Sequence, residues 1–155
     1  MCSSDLVPKD LRVPKLSVPT APAGDSAAVA EIAKLLVAAE NPTIVAGRAA
    51  RTPEGLKHMV ELAEALQANV VDTRQRMNFP TRHPLAGGNA AASDVVLALE
   101  PGDISNLTRA AHQRNAKVLS VSSGHLFQRS NYQDFMRYAE VDLSVAADEI
   151  GRAHV

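Results

Sequence analysis

Tryptophan is absent from this chain, and its aromatic residues amount to two tyrosines and three phenylalanines. That is too few for the stacking platforms on which single-stranded nucleic acid lies. Cysteine occurs once, as Cys2, so no disulfide can form within the chain and a reducing, cytoplasmic setting is expected. Neither sign of charge is in excess. The formal net charge of −1 supplies no general field to draw in nucleic acid or an anionic membrane, and neither is expected as a partner. No apolar run approaches the roughly 20 residues of a bilayer span, and the N-terminus lacks the apolar core of a signal peptide. The dinucleotide fingerprint G-x-G-x-x-G is also missing: Gly47 and Gly55 are the only glycines around the first strand-to-helix turn, which argues against a free-standing NAD-dependent dehydrogenase. What remains is a chain of 155 residues, 46% of them hydrophobic. It is long enough for one domain with a core built from Ala, Val, Leu and Ile, and too short for two.

The two ends read as something other than protein design. The tail, residues 149–155, back-translates as GAG ATC GGA AGA GCA CAC GTC, and the head, residues 1–6, as GTG TGC TCT TCC GAT CTN. The string AGATCGGAAGAGCACAC within the tail is the reverse complement of the head, and it resembles a common sequencing-library adapter. Residues 1–6 and 149–155 are therefore expected to be translated adapter and are set aside from fold reasoning. On this expectation Cys2 belongs to no natural protein and the gene runs on in both directions. Residues 7–25 read as an interdomain linker, because Pro8, Pro14, Pro19 and Pro22 favour extended chain over helix.

Residues 26–148 alternate between helical and strand-like patterns. Asp25 or Ser26 can cap a helix with Val29, Ile32, Ala33 and Leu36 on one stripe, ended by Asn41-Pro42. Thr43–Ala46 is a short run, apolar on both faces as buried parallel strands are. Thr52-Pro53-Glu54 supplies an N-cap, a proline at the first helical position and an early acid. The helix that follows carries Leu56, Met59, Val60 and Ala63 on one stripe and stops near Gln67. Further strands are expected over Asn69–Asp72, Ser93–Leu99, Lys117–Val121 and Val141–Val145. A short helix is expected over Leu107–Arg114, and an irregular segment over Thr73–Gly88. Strands separated by helices imply right-handed crossovers and a parallel sheet covered on both faces. The expected class is doubly wound, Rossmann-like α/β in a single domain.

Several of these runs together carry a family resemblance. Leu35–Gly47 (LLVAAENPTIVAG), Leu62–Val71 (LAEALQANVV), His83-Pro84-Leu85, Ser93–Leu99 (SDVVLAL) and Val141–Asp148 resemble, in that order, the central domain of thiamine-diphosphate-dependent enzymes of the acetolactate synthase group. The similarity covers nearly all of residues 26–148. It implies a subunit of three domains, working as a homodimer or homotetramer, that forms or cleaves a carbon–carbon bond next to a carbonyl of a 2-keto acid or aldehyde, as a transferase or lyase. It also implies that the pyrimidine-binding domain with the activating glutamate, and the diphosphate-binding domain with the Gly-Asp-Gly…Asn motif for Mg²⁺, lie outside this chain. Asp103 in Pro101-Gly102-Asp103-Ile104 lacks the second glycine and the downstream spacing of that motif. No catalytic residue and no metal ligand is therefore expected here, and the chain alone is expected to be inactive.

Some members bind FAD or another nucleotide through the central domain. Here the loops after the first two strands hold Gly47, Arg48 and Arg51, then Thr73, Arg74 and Arg76; Gly47, Arg48, Thr73 and Arg74 form the candidate nucleotide site. Glu100-Pro101-Gly102 speaks against FAD, because it places an acid where the FAD-binding members carry an arginine. Pairing of these arginines with acids of neighbouring domains is the plainer alternative. His58, His83, His112 and His125 have no metal-ligand spacing. Ser122-Ser123-Gly124-His125 lacks a nucleophile elbow, and the aromatic patch Asn131–Tyr138 suits packing or an interface. Two alternatives from other classes stand beside the enzyme domain: a free-standing FAD- or ADP-binding module, and a non-catalytic oligomerisation domain.

Overall fold

The computed structural model describes residues 22–73, 77–88, 92–123 and 138–147. Eight elements follow one another: α1 (Ser26–Val37), β1 (Pro42–Ala46), α2 (Pro53–Leu66), β2 (Asn69–Asp72), β3 (Val95–Leu99), α3 (Ser105–His112), β4 (Lys117–Ser122) and β5 (Leu143–Ala146). The five strands form one sheet in the order β2-β1-β3-β4-β5, and every pairing is parallel. This is the flanked α/β architecture that the alternating pattern predicts.

Side chains alternate across the sheet, as the pleat requires. Ile44, Val95, Leu97, Leu99, Leu119 and Val145 share one apolar cluster with Ile32 and Leu36 of α1 and Met59 and Ala63 of α2. On the opposite face Ala98 and Val118 meet Ile104, Leu107 and Ala111, from the start and body of α3. The strand burial follows from position. β1 and β3 are buried at every residue, whereas the edge strand β2 buries only Val70 and the other edge, β5, only Val145.

The caps are local and were legible. Asp25 accepts a bond from the Ala28 amide at 2.9 Å, and Thr52 accepts one from the Gly55 amide at 3.0 Å, each satisfying a donor that a first helical turn leaves open. Pro53 occupies the first turn of α2, and Gln67 ends that helix in the left-handed region at φ 50.

Several boundaries differ from the sequence expectation, and four elements show the physical reason. α1 stops at Val37 instead of running to Asn41, because the Asp94 carboxylate takes the Glu40 and Asn41 amides at 2.7 and 2.9 Å and draws the chain out of the helix. The same residue delays β3, which begins at Val95 and not at Ser93. β5 begins at Leu143, two residues past Val141, because Asp142 turns its carboxylate to the Val118 amide at 2.7 Å. α3 runs Ser105–His112 instead of Leu107–Arg114, since Asp103 accepts from the Ser105 amide at 2.8 Å and opens the helix early. The buried stripe of α1 is also rotated. Ile32 and Leu36 are buried as expected, but Val29 is 49% exposed and Ala33 is exposed, while Ala28, Leu35 and Ala39 pack against the core.

Candidate functional site at the strand ends

In a doubly wound sheet the ligand crevice lies beyond the carboxyl ends of the strands, where the strand order reverses. The present order places that reversal between β1 and β3. Here the backbone ladder runs on past both strands. The Gly47 amide donates to the Leu99 carbonyl at 2.8 Å and the Arg48 amide to the Glu100 carbonyl at 3.1 Å. To one side, the Thr73 amide donates to the Ala46 carbonyl at 3.0 Å; to the other, the Glu100 amide donates to the Val121 carbonyl at 2.9 Å. A Cβ at position 47 would collide with the Glu100 carbonyl, so the chain can leave β1 here only on glycine.

Two buried polar residues fix these loops. Asn78, 3% exposed, donates through Nδ2 to the Gly47 carbonyl and to Asp72 Oδ1, both at 2.9 Å, while its amide donates to Asp72 Oδ2 at 2.8 Å. Glu100 is 6% exposed and has a left-handed φ of 41, a conformation that a residue with a Cβ adopts only at a cost. Its Oε1 accepts from the Ser123 amide at 2.8 Å and the Ser123 hydroxyl at 2.7 Å, and its Oε2 accepts from the Ser122 hydroxyl at 3.4 Å.

Of the candidate nucleotide residues, the structure brings Gly47, Arg48 and Thr73 together at the ends of β1 and β2, with the Arg48 side chain exposed. Arg74, like Arg76, lies outside the described residues. All three amides in that group are already spent on the sheet. Beside them opens a cleft of about 330 Å³ walled by Val45, Val71, Ile104 and Leu107, with Thr73 and Asp103 at its rim. Asp103 is the one ionisable side chain lining it among the described residues. A diphosphate there would meet the Asp103 carboxylate and amides already paired in the sheet.

The histidines are dispersed. His58 faces Glu61 at 3.1 Å, His83 faces Glu64 at 3.2 Å with its ring edge-on to Phe79, and His112 faces Asp142 at 3.5 Å. Among the described residues no group of three His, Cys, Asp or Glu could hold a metal ion. The Ser123 hydroxyl serves Glu100, and His125 lies outside the described residues, as does the aromatic patch up to Arg137. Among the described residues no donor set for Mg²⁺ stands together.

Sequence reasoning missed Asn78, Asp94 and the Glu100–Ser123 contact. Their partners stand 31, 54 and 23 residues away along the chain, and no local motif marks them. The acid at position 100 was visible, but not the turn it binds.

A parallel, helix-flanked sheet of this strand order defines a domain of the doubly wound α/β class. Residues 29–104 match the family model described as thiamine pyrophosphate enzyme, central domain. Solved structures agree in fold. An enzyme from Mycobacterium smegmatis described as thiamin diphosphate-dependent aligns with a TM-score of 0.60 at 23% identity, over 86% of this chain and 27% of that one. Benzoylformate decarboxylase from Polynucleobacter necessarius aligns with a TM-score of 0.60 at 18% identity, over 90% of this chain and 28% of that one. The chain thus spans under a third of the length of either structure.

Proposed function

We propose that this chain is the scaffold portion of a larger thiamine-diphosphate- and Mg²⁺-dependent enzyme that forms or breaks a carbon–carbon bond next to a carbonyl of a 2-keto acid or aldehyde. The observation that carries the proposal is the family match over residues 29–104, which runs from α1 through β3 to the residue before α3. The sequence resemblance supports acetolactate synthase-like transfer. The fold likeness to a benzoylformate decarboxylase brings keto-acid lyase chemistry into the same proposal. In the intact protein the cofactor would supply an electron sink for the carbanion. This domain's own residues would hold the flanking pyrimidine- and diphosphate-binding domains in register, within a homodimer or homotetramer.

The family match to a central domain supports placing cofactor binding in those flanking domains. Calorimetric titration of the chain with thiamine diphosphate and Mg²⁺, paired with an assay for 2-keto acid consumption, tests this. The expected outcome is no saturable heat and no turnover. Saturable binding of the cofactor by the chain alone would contradict the proposal.

A further inference from the structure

The turn after β4 is built like an anion site. The Ser123 amide and the Ser122 and Ser123 hydroxyls converge on one point at the carboxyl edge of the sheet. Converging backbone and hydroxyl donors at such a position bind phosphate oxygens in many α/β domains. Here the point is taken by two carboxylate oxygens of the chain itself, those of Glu100. We propose that Glu100 is a resident anion: it fills the position a nucleotide phosphate would take, and so excludes nucleotides from this domain.

Three independent features converge on this. The backbone of Glu100 is held at φ 41, and strain of this kind persists only where the surroundings over-determine it. Turning the side chain onto the Ser122–Ser123 turn, while the Glu100 carbonyl accepts the Arg48 amide, uses that conformation at both ends of the residue. Next, the amides of Gly47 and Arg48 are spent on Leu99 and Glu100, so no second set of donors stands open on the β1 side. Finally, the neighbouring cleft has apolar walls and carries Asp103 as its one ionisable lining residue among those described. A phosphate entering it would meet the like charge of Asp103. The proposal stands whether or not the intact protein uses thiamine diphosphate, because it concerns only groups within this chain.

The test is calorimetric titration of the 155-residue chain with inorganic pyrophosphate and with ADP, on the wild type and on Glu100→Gly and Glu100→Gln. Glycine suits a positive φ and empties the position; glutamine keeps the shape and removes the charge. Ser123 is exposed, so the vacated donors open to ligand. The wild type is expected to show no saturable binding, and Glu100→Gly to bind pyrophosphate at least about tenfold more tightly, with glutamine in between. Wild-type binding as tight as that of the glycine variant would overturn the proposal, and so would folded variants that gain nothing. If neither variant folds, Glu100 serves stability and not exclusion, and the proposal fails as well.

Discussion

Asp94 shows how one side chain can set two boundaries at the amino edge of a sheet. Its carboxylate receives the amides of Glu40, Asn41 and Val95 at 2.7, 2.9 and 2.9 Å. Partial burial pushes its pKa up, but the donors, including its own amide, outweigh that and hold the carboxyl below its ordinary value. A carboxylate whose folded pKa is depressed stabilises the fold above its unfolded pKa of about 4 and loses that contribution as pH falls through the folded value. Asp94→Ala is therefore expected to lower stability at pH 7 by about 1 kcal/mol, the lower part of the range for charged hydrogen bonds because solvent reaches the group. The deficit should shrink toward pH 3, and urea denaturation of both proteins across that range measures it. A deficit independent of pH would remove the charge from the explanation. Residues of this kind were illegible in the sequence because their partners are distant. Asp25 and Thr52, whose partners lie three residues on, were legible.

α1 teaches the corresponding lesson for elements. Its sequence, SAAVAEIAKLLV, is apolar nearly all round, so periodicity admits more than one buried stripe. Contact with the sheet selects the stripe of Ala28, Ile32, Leu35 and Leu36, leaving Val37 77% exposed. Leu36→Ala is thus expected to cost about 3 kcal/mol, with Val37→Ala within about 0.5 kcal/mol of the wild type. Equal losses at the two positions, read from the same denaturation curves, would mean the helix is rotated from the face described. The strands were easier to place. β2 begins and ends as expected and β1 gains only Pro42 at its start, because short runs of Thr, Val and Ile between turn residues have few other uses. Strand and helix starts shifted where an acid intervened, at Asp94, Asp103 and Asp142.

At the scale of the whole molecule the class was legible from alternation alone, since helices between short apolar strands have few other solutions than a flanked parallel sheet. The strand order was not, because it depends on pairings between distant residues. Among the described residues no helix is long and apolar enough to cross a membrane. The central claim is that this domain is one part of a longer thiamine-dependent chain, and sequencing the source gene beyond Val7 and Asp148 tests it most directly. The account predicts an open frame that continues upstream into a domain with an activating glutamate and downstream into a Gly-Asp-Gly…Asn motif. A gene that starts at Met1 and stops after Val155 would contradict it, leaving a free-standing α/β module.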